Sequence, residues 1–178
     1  MWTIGALAPR QCDLREAALP SMHDLYQATQ ENIQLTVLDG TEALCTEKIS
    51  STRTVPTLTH VGGRLPLHAT GVGKAILAFS GPDLLATVAV TGLPRMTPNT
   101  ITRPGRLAAA LQEVRRTGAA CSYEEMTLGA ASVAAPVLRL DGRVRAALGI
   151  VAHSRAAAVD RLAPAVRTAA LGVARAAN

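Results

Sequence analysis

The chain has 178 residues and a net charge of +5, with 48 % apolar and 17 % charged residues, a balance that supports one folded domain and excludes a disordered chain. Its four aromatic residues are too few for stacking on single-stranded nucleic acid, and no apolar run reaches the roughly 20 residues of a membrane helix. The positive excess lies in residues 139–178, where seven Arg stand against two Asp, and we interpret it as a solvated helix face because no basic cluster alternates with aromatic residues.

The N-terminal residues predict a helix boundary. Residues 1–12 have the composition of the end of a preceding helix or linker. Asp13 with Glu16 forms a capping box, which predicts the start of a helix at residue 13. Pro20 is expected to kink that helix. We therefore divide the chain into residues 1–12 and one domain over residues 13–178.

A hairpin and a long loop follow. Apolar and polar residues alternate over residues 33–37, which is typical of a β-strand, and Asp39-Gly40 predicts a tight turn into a second strand over residues 43–49. Residues 51–69 are rich in Thr, Gly and Pro and predict a long loop that contains one short strand.

Three helices are predicted in the middle of the chain. Thr70 is the expected N-cap of the first. Pro82 and Pro104 are expected in the first turns of the second and third, where proline is favoured. Gly118 is the expected C-cap of the third.

The last quarter of the chain predicts a second hairpin. Two apolar strands, Ser132–Leu140 and Val144–Val151, are joined by Asp141-Gly142, and a helix that Pro164 perturbs follows from about Val159 to Ala176. Strands that are apolar on both faces suit the middle of a covered sheet. With no repeated βαβ unit, the element order predicts an α+β fold built on an antiparallel sheet.

The glycine-rich segment 62–75 is not a nucleotide-binding loop. His68 stands where a Walker motif needs Gly, and Ala75 stands where it needs a hydroxyl. The small residues Thr70–Gly73 at a helix start can leave backbone N–H groups open to a carboxylate or another small anion. A plain helix start, with the glycines serving close packing, explains them equally well.

Residues able to carry catalysis or a metal are scattered. The four His and three Cys form no pair with metal-ligand spacing and no nucleophile motif, so we expect no metal, no cofactor and no enzymatic activity. His68 is interpreted as a packing and hydrogen-bonding residue, and the cysteines as small core thiols. Glu124 and Glu125 point to opposite faces, so one of them can act as a buried hydrogen-bond acceptor. No secretory signal is visible, and a cytoplasmic protein with no membrane partner is expected.

The same glycine-rich region carries a family resemblance. Residues Leu65–Ala78, with the sequence LPLHATGVGKAILA, resemble the hallmark segment of IclR-type (isocitrate lyase regulator) transcription factors. Further matches follow in the family's order: Thr97–Thr102, Leu111–Gly118, Glu124-Glu125, Gly129, Ala134–Val137, Asp141-Gly142 and Ala146–Leu148. The resemblance extends from about Leu14 to Ala176.

The resemblance implies the effector-binding domain of a DNA-binding transcriptional regulator. The implied fold is a GAF/PAS-like curved antiparallel sheet flanked by helices. The implied partners are a small-molecule effector, namely an organic acid, and further copies of the chain in a dimer or tetramer. Operator DNA would be contacted only through a winged helix-turn-helix domain outside this chain, and residues 1–12 would then end the helix that connects the two domains.

The resemblance also implies the residues of the effector site. Gly71 and Val72 match helix-start positions whose backbone amides meet the carboxylate of a ligand. The matching loop and sheet positions are Thr54, Thr57, Leu65, Ser122, Ala130, Ser132, Gly149 and Val151. Ser122 and Tyr123 replace an acidic pair of the members that bind small keto acids, and Gly149 and Val151 replace serines. We therefore expect a roomier, more apolar cavity and a larger carboxylate than glyoxylate or pyruvate, such as an aromatic or amino-acid-derived acid.

Two other classes of function are open from the sequence. An enzyme on a GAF-like fold acting on a small carboxylate would need a nucleophile or base in the same cavity, where the sequence offers Ser132 and His68 without an orienting partner. A free-standing partner-binding module is the other alternative.

Overall fold

The computed structural model describes residues 4–53, 55, 57–154 and 159–178, with side chains from residue 13 onward. The helices are α1 (Ile4–Thr29), α2 (Gly71–Ala78), α3 (Pro82–Thr91), α4 (Pro104–Thr117) and α5 (Ala163–Ala177), the last preceded by a 3-10 turn over Val159–Leu162. The strands are β1 (Asn32–Asp39), β2 (Glu42–Ile49), β3 (Arg64–Pro66), β4 (Ala120–Tyr123), β5 (Ala130–Leu138) and β6 (Val144–His153). None of these helices is both long enough and apolar enough to cross a membrane.

The six strands form one antiparallel sheet in the order β3-β2-β1-β6-β5-β4. Both predicted hairpins are present, and Gly40 (φ +63°) and Gly142 (φ +79°) supply the left-handed conformations that their tight turns require. Pairing of β1 with β6 joins the N-terminal and C-terminal hairpins in the centre of the sheet. The predicted α+β fold with an antiparallel sheet flanked by helices is confirmed.

Helices cover both faces of the sheet. On one face, apolar side chains of β1, β5 and β6 pack against α1 and α5; Met22, Leu148 and Ile150 are fully buried there. On the other face, the sheet packs against α2 and α4, and all eight residues of α2 are buried. Each fully buried Leu or Ile side chain contributes about 1.5–3 kcal/mol to folding. Because β5 and β6 contribute to both clusters, they are apolar on both faces.

Two boundary predictions are wrong. The helix predicted to start at Asp13 is already present at Ile4 and continues through Pro20. Buried residues Leu14, Ala18, Met22 and Leu25 hold it against the sheet, so the capping-box pattern at Asp13 lies inside a helix. Pro164 does not perturb α5 but stands in its first turn, where the missing N–H costs no helical hydrogen bond.

Candidate ligand-binding cavity

A tight turn fixes the start of α2. Thr70 is extended, accepts a hydrogen bond from the Gly73 N–H at 3.0 Å and donates one to the carbonyl of Pro66 at 2.8 Å, which confirms it as the N-cap. A Cβ on Gly73 would lie 2.5 Å from the Cα of Leu67, so only glycine lets the preceding segment fold this closely onto the helix.

The start of α2 also rests directly on the sheet. The Gly71 N–H donates to the Ser132 Oγ on β5 at 3.1 Å, and a Cβ on Gly71 would lie 2.8 Å from that oxygen. The next N–H, that of Val72, has no acceptor among the residues that the structure describes. An open N–H at a helix N-terminus favours a negative charge nearby, because the helix dipole adds to the hydrogen bond.

A cavity lies beside this helix start, over the same face of the sheet. With its mouth it holds about 500 Å³ of empty space, of which about 50 Å³ is wide enough to take the centre of a water molecule. Its lining comprises Gln34, Thr57, Leu58, Thr59, Leu65, Ala69, Thr70, Ser122, Met126, Thr127, Ala130, Ala131, Ser132 and Val151. Seven of these 14 residues are polar, but apolar atoms form most of the lining surface. Leu58 at the mouth is 76 % exposed.

The structure brings most of the residues expected in the site to this cavity. Those that line it are Thr57, Leu65, Ser122, Ala130, Ser132 and Val151. Gly71 reaches it only through its hydrogen bond to Ser132. Val72 and Gly149 pack against each other behind the wall, and Thr54 lies outside the described residues.

The expectation that Gly149 widens the cavity is wrong. A Cβ at Gly149 would lie only 2.6 Å from the Cγ1 of Val72, so the space that the missing side chain leaves is already filled. Of the two positions expected to carry serines in other members, only Val151 contributes its side chain to the cavity wall.

Three polar side chains face the cavity with unused hydrogen-bonding capacity. Ser122 donates its hydroxyl to the Ala69 carbonyl at 3.1 Å and keeps lone pairs free. Ser132 accepts from Gly71, and its own hydroxyl proton has no acceptor among the described residues. Gln34 is 4 % exposed and makes no side-chain hydrogen bond to any described residue. Gln34 was not predicted as a site residue, because in the sequence it is only a polar residue of an alternating strand.

A lysine positions the loop that forms the outer wall. The Lys48 ammonium on β2 donates to the Thr59 carbonyl at 2.6 Å and also to the Thr57 hydroxyl. Thr57 and Thr59 both line the cavity, so Lys48 holds the loop and places a positive charge beside the wall.

A buried ion pair anchors the opposite wall. The Lys74 ammonium on α2 lies 2.7 Å from the Glu125 Oε1, and the two side chains are only 4 % and 11 % exposed. The hydroxyls of Thr97 and Thr100 donate to backbone carbonyls of residues 124 and 125, which fixes the same segment. Met126 and Thr127, which follow directly, line the cavity. The expected buried carboxylate is therefore Glu125, and its partner Lys74 was not foreseen.

The remaining candidate reactive residues have structural roles. His68 is 3 % exposed and donates from Nε2 to the carbonyl of Pro94 at 2.9 Å, as expected for a packing residue. Burial, together with the Asp160 carboxylate, raises the pKa of Cys121 to about 11, so this thiol is protonated near neutral pH. Burial and a hydrogen bond to Asp160 also raise the pKa of Tyr123. Within the described ranges, no three His, Cys, Asp or Glu side chains come close enough to hold a metal ion.

A second, more polar groove lies apart from the helix start. With its mouth it holds about 1370 Å³ of empty space, of which about 760 Å³ is wide enough to take the centre of a water molecule, and its lining includes Arg95, Arg103, Arg106, Tyr123 and Glu124. Arg95 donates to the Pro98 carbonyl at 3.1 Å, and the groove is open to solvent.

Comparison with known proteins gives a consistent result. Residues 7–175 match the family model described as Bacterial transcriptional regulator IclR C-terminal. The chain is 32 % identical to the HTH-type transcriptional regulator KipR of Bacillus subtilis over 96 % of this chain and 70 % of KipR. It is 33 % identical to the HTH-type transcriptional regulator BhcR of Paracoccus denitrificans over 82 % of this chain and 53 % of BhcR, and so spans about half the length of that relative.

A solved structure agrees with the sequence relatives. An IclR homolog from Microbacterium hydrocarbonoxydans, complexed with 4-hydroxybenzoate, superposes with a TM-score of 0.88 at 34 % identity. The match covers 93 % of this chain and 68 % of that chain.

Proposed function

Because the chain belongs to the IclR family of bacterial transcriptional regulators, whose C-terminal domain it forms, we propose that the cavity beside α2 binds the regulator's effector and that this effector is an organic acid. One observation carries the proposal: Ser132, whose hydroxyl proton is unused, lines the cavity and accepts a hydrogen bond from the Gly71 N–H at the start of α2. A free hydroxyl donor beside a helix N-terminus suits a carboxylate.

The charges near the cavity support an anionic ligand. Lys48 lies behind the loop wall, and the helix dipole of α2 directs its positive end toward the same region. The Glu125 carboxylate on the opposite side is neutralised by Lys74 and does not repel an acid. The local electrostatic potential therefore favours a negative ligand.

The lining supports an acid larger and more apolar than glyoxylate or pyruvate. Leu65, Met126, Ala130 and Val151 give the wall an apolar character. The homolog that is 34 % identical was solved with 4-hydroxybenzoate, an aromatic acid. An acid of this kind would fill the interior and extend to the mouth at Leu58, where the cavity opens to solvent.

We also propose that effector binding regulates transcription through the complete protein. An effector shifts a conformational or quaternary equilibrium only by binding one state more tightly than another, and a tenfold preference corresponds to about 1.4 kcal/mol. The curated relatives are longer and are named HTH-type regulators, so DNA contact is assigned to a helix-turn-helix region outside these 178 residues. Self-association to a dimer or tetramer would transmit the effector's conformational change to the DNA-binding region. Sedimentation analysis with and without the effector tests whether binding alters the oligomeric state.

Thermal unfolding with a panel of acids tests the proposal. The panel runs from glyoxylate and pyruvate through aromatic acids to acylated amino acids. An acid present at 100 times its dissociation constant stabilises the protein by about 2.7 kcal/mol, which raises the midpoint by roughly 5–10 °C for a chain of this size.

A matched pair of serine variants assigns the effect to the cavity. Ser132→Ala removes a hydrogen bond to a charged group, which is worth about 1.5–3 kcal/mol. The variant is therefore expected to bind the active acid about 10-fold more weakly, or weaker still. Ser80→Ala is the control, because Ser80 donates to the Ile76 carbonyl at 2.7 Å and does not line the cavity. An unchanged midpoint across the whole panel, or equal binding by Ser132→Ala and wild type, would contradict the proposal.

A further inference from the structure

One side-chain amide at the cavity has no hydrogen-bond partner among the residues that the structure describes. Gln34 on β1 is 4 % exposed, lines the cavity, and makes no side-chain hydrogen bond to any residue that the structure describes. Its Cγ lies 3.6 Å from the position of a Cβ on Gly149, so the side chain leans across β6. Buried polar groups are normally hydrogen-bonded, and an exception that faces a cavity points to a ligand.

The neighbours of Gln34 on the same strand face show that the exception is specific. The Asn32 side chain donates to the Val55 carbonyl at 2.9 Å and accepts from the Ser51 N–H at 3.0 Å. Thr36 donates to the Ala147 carbonyl at 3.5 Å. Neither residue lines the cavity. Gln34 is therefore the member of this row that lines the cavity, and its side chain is the one without a hydrogen-bond partner in the described part of the chain.

Gln34 lies far from the proposed carboxylate end. Ser132 on β5 pairs with Val151 on β6, while Gln34 pairs with Gly149. The two residues are thus two strands apart and offset by two positions, which places their Cα atoms roughly 12 Å apart in an ideal sheet. An acid held at Ser132 therefore presents its end remote from the carboxylate toward Gln34.

We propose that Gln34 determines ligand specificity by hydrogen-bonding a hydroxyl, carbonyl or carboxamide group at the end of the acid remote from its carboxylate. The inference rests on the proposed function and extends it, since it names the ligands as acids with a second polar group. An amide side chain both donates and accepts, so it recognises any of these three groups.

Desolvation gives this contact its selectivity. Without a ligand, the cavity is wide enough for water to hydrate the amide. An acid with an apolar end displaces that water and leaves the amide unpaired, whereas an acid with a remote polar group replaces the lost hydrogen bonds. A site built around a buried polar group therefore discriminates strongly against the ligand that lacks its partner.

Matched pairs of acids test the proposal with the full 178-residue chain. The pairs are 4-hydroxybenzoate with benzoate and 6-hydroxyhexanoate with hexanoate, measured by isothermal titration calorimetry on wild type and Gln34→Met. Wild type is expected to prefer the hydroxylated member of the pair that fits by at least about 10-fold, equivalent to about 1.4 kcal/mol. Gln34→Met keeps the length of the side chain but removes its hydrogen bonding, and the preference is expected to fall to about twofold or less.

Two controls separate specificity from folding. Thr36→Val changes a buried polar residue on the same strand face and is expected to leave the preference intact. Because the Gln34 side chain makes no hydrogen bond to any described residue, ligand-free Gln34→Met is expected to unfold at the wild-type midpoint or above it. A loss of stability in Gln34→Met would indicate a structural role and overturn the inference.

The outcomes also separate this inference from the proposed function. If the acids bind but wild type shows no preference, or Gln34→Met retains it, the role of Gln34 is refuted while the acid site stands. If none of the four acids binds wild type and no acid of the wider panel raises its unfolding midpoint, the proposed function is refuted, and the inference is refuted with it.

Discussion

Replacing Lys74 by Met is expected to leave the Glu125 carboxylate buried without its cation. The two side chains are 4 % and 11 % exposed and their charged atoms are 2.7 Å apart. Water therefore screens their attraction only weakly, and it cannot solvate the carboxylate once the lysine is removed. The Glu125 Oε2 already lacks a hydrogen-bond partner among the described residues, and Lys74→Met would orphan the Oε1 as well. Removing one partner of such a pair costs about 3–5 kcal/mol. For a chain of this length, that lowers the unfolding midpoint by roughly 6–20 °C.

Differential scanning calorimetry at neutral pH measures this effect on Lys74→Met, Glu125→Met and the double variant. The double variant is expected to recover to within about 1 kcal/mol of wild type, because an apolar pair of similar volume replaces a buried ion pair without leaving a lone charge. Arg116→Met is the control, since its pair with Glu113 is exposed, and its midpoint should stay at the wild-type value. A loss below about 1 kcal/mol in Lys74→Met, or losses that simply add in the double variant, would refute the reasoning.

Three further predictions follow from the packing and the pKa shifts. Gly149→Ala places a Cβ 2.6 Å from the Val72 Cγ1 and should cost about 1–3 kcal/mol in urea unfolding; the penalty should vanish in a Val72→Ala background, and an equal penalty in both would argue against the contact. Burial raises the pKa of Glu47, but hydrogen bonds from Arg15 and from the Lys48 N–H outweigh it, so the folded pKa lies below the ordinary 4.5. The Glu47 carboxylate therefore stabilises the fold above pH 4.5, and this contribution is lost as the pH falls below that value. The difference in free energy of unfolding between wild type and Glu47→Gln should decrease in acid, and a difference that stays constant with pH would contradict this. The pKa of Cys121 is raised to about 11, so peptide-resolved alkylation of that thiol should be slow near neutral pH, and the midpoint of its rate–pH profile should lie well above the ordinary thiol pKa of 9.0; a midpoint at or below 9.0 would contradict this.

Local signals in the sequence determined much of the fold. Asp39-Gly40 and Asp141-Gly142 both form hairpin turns, and Thr70 caps α2 as its hydroxyl and position predict. Gly118 ends α4 in the left-handed conformation (φ +74°). Each of these features depends on the conformational preferences of one or two residues, which a single sequence displays. The start of α1 could not be predicted in this way, because a capping pattern can also occur on the surface of a longer helix, as it does at Asp13.

The cavity was only partly predictable for a related reason. A strand that alternates apolar and polar residues indicates one buried face, and Ile33 and Leu35 lie on that face as expected. The polar face of the same strand is buried as well, because α2 covers it. Only the tertiary arrangement shows that Gln34 lies inside and that Val72 fills the space beside Gly149. Long-range contacts of this kind leave no periodic signal in one sequence.

A ¹⁵N–¹H NMR titration with 4-hydroxybenzoate reports on each backbone amide separately and therefore locates the bound acid. Saturable shifts are expected for the backbone signals of Gly71 and Val72 at the start of α2 and for Ser132, which holds Gly71. Addition of an equal concentration of chloride should leave these signals in place. Saturable shifts confined to the groove at Arg95 and Arg103, with α2 unaffected, would contradict the account.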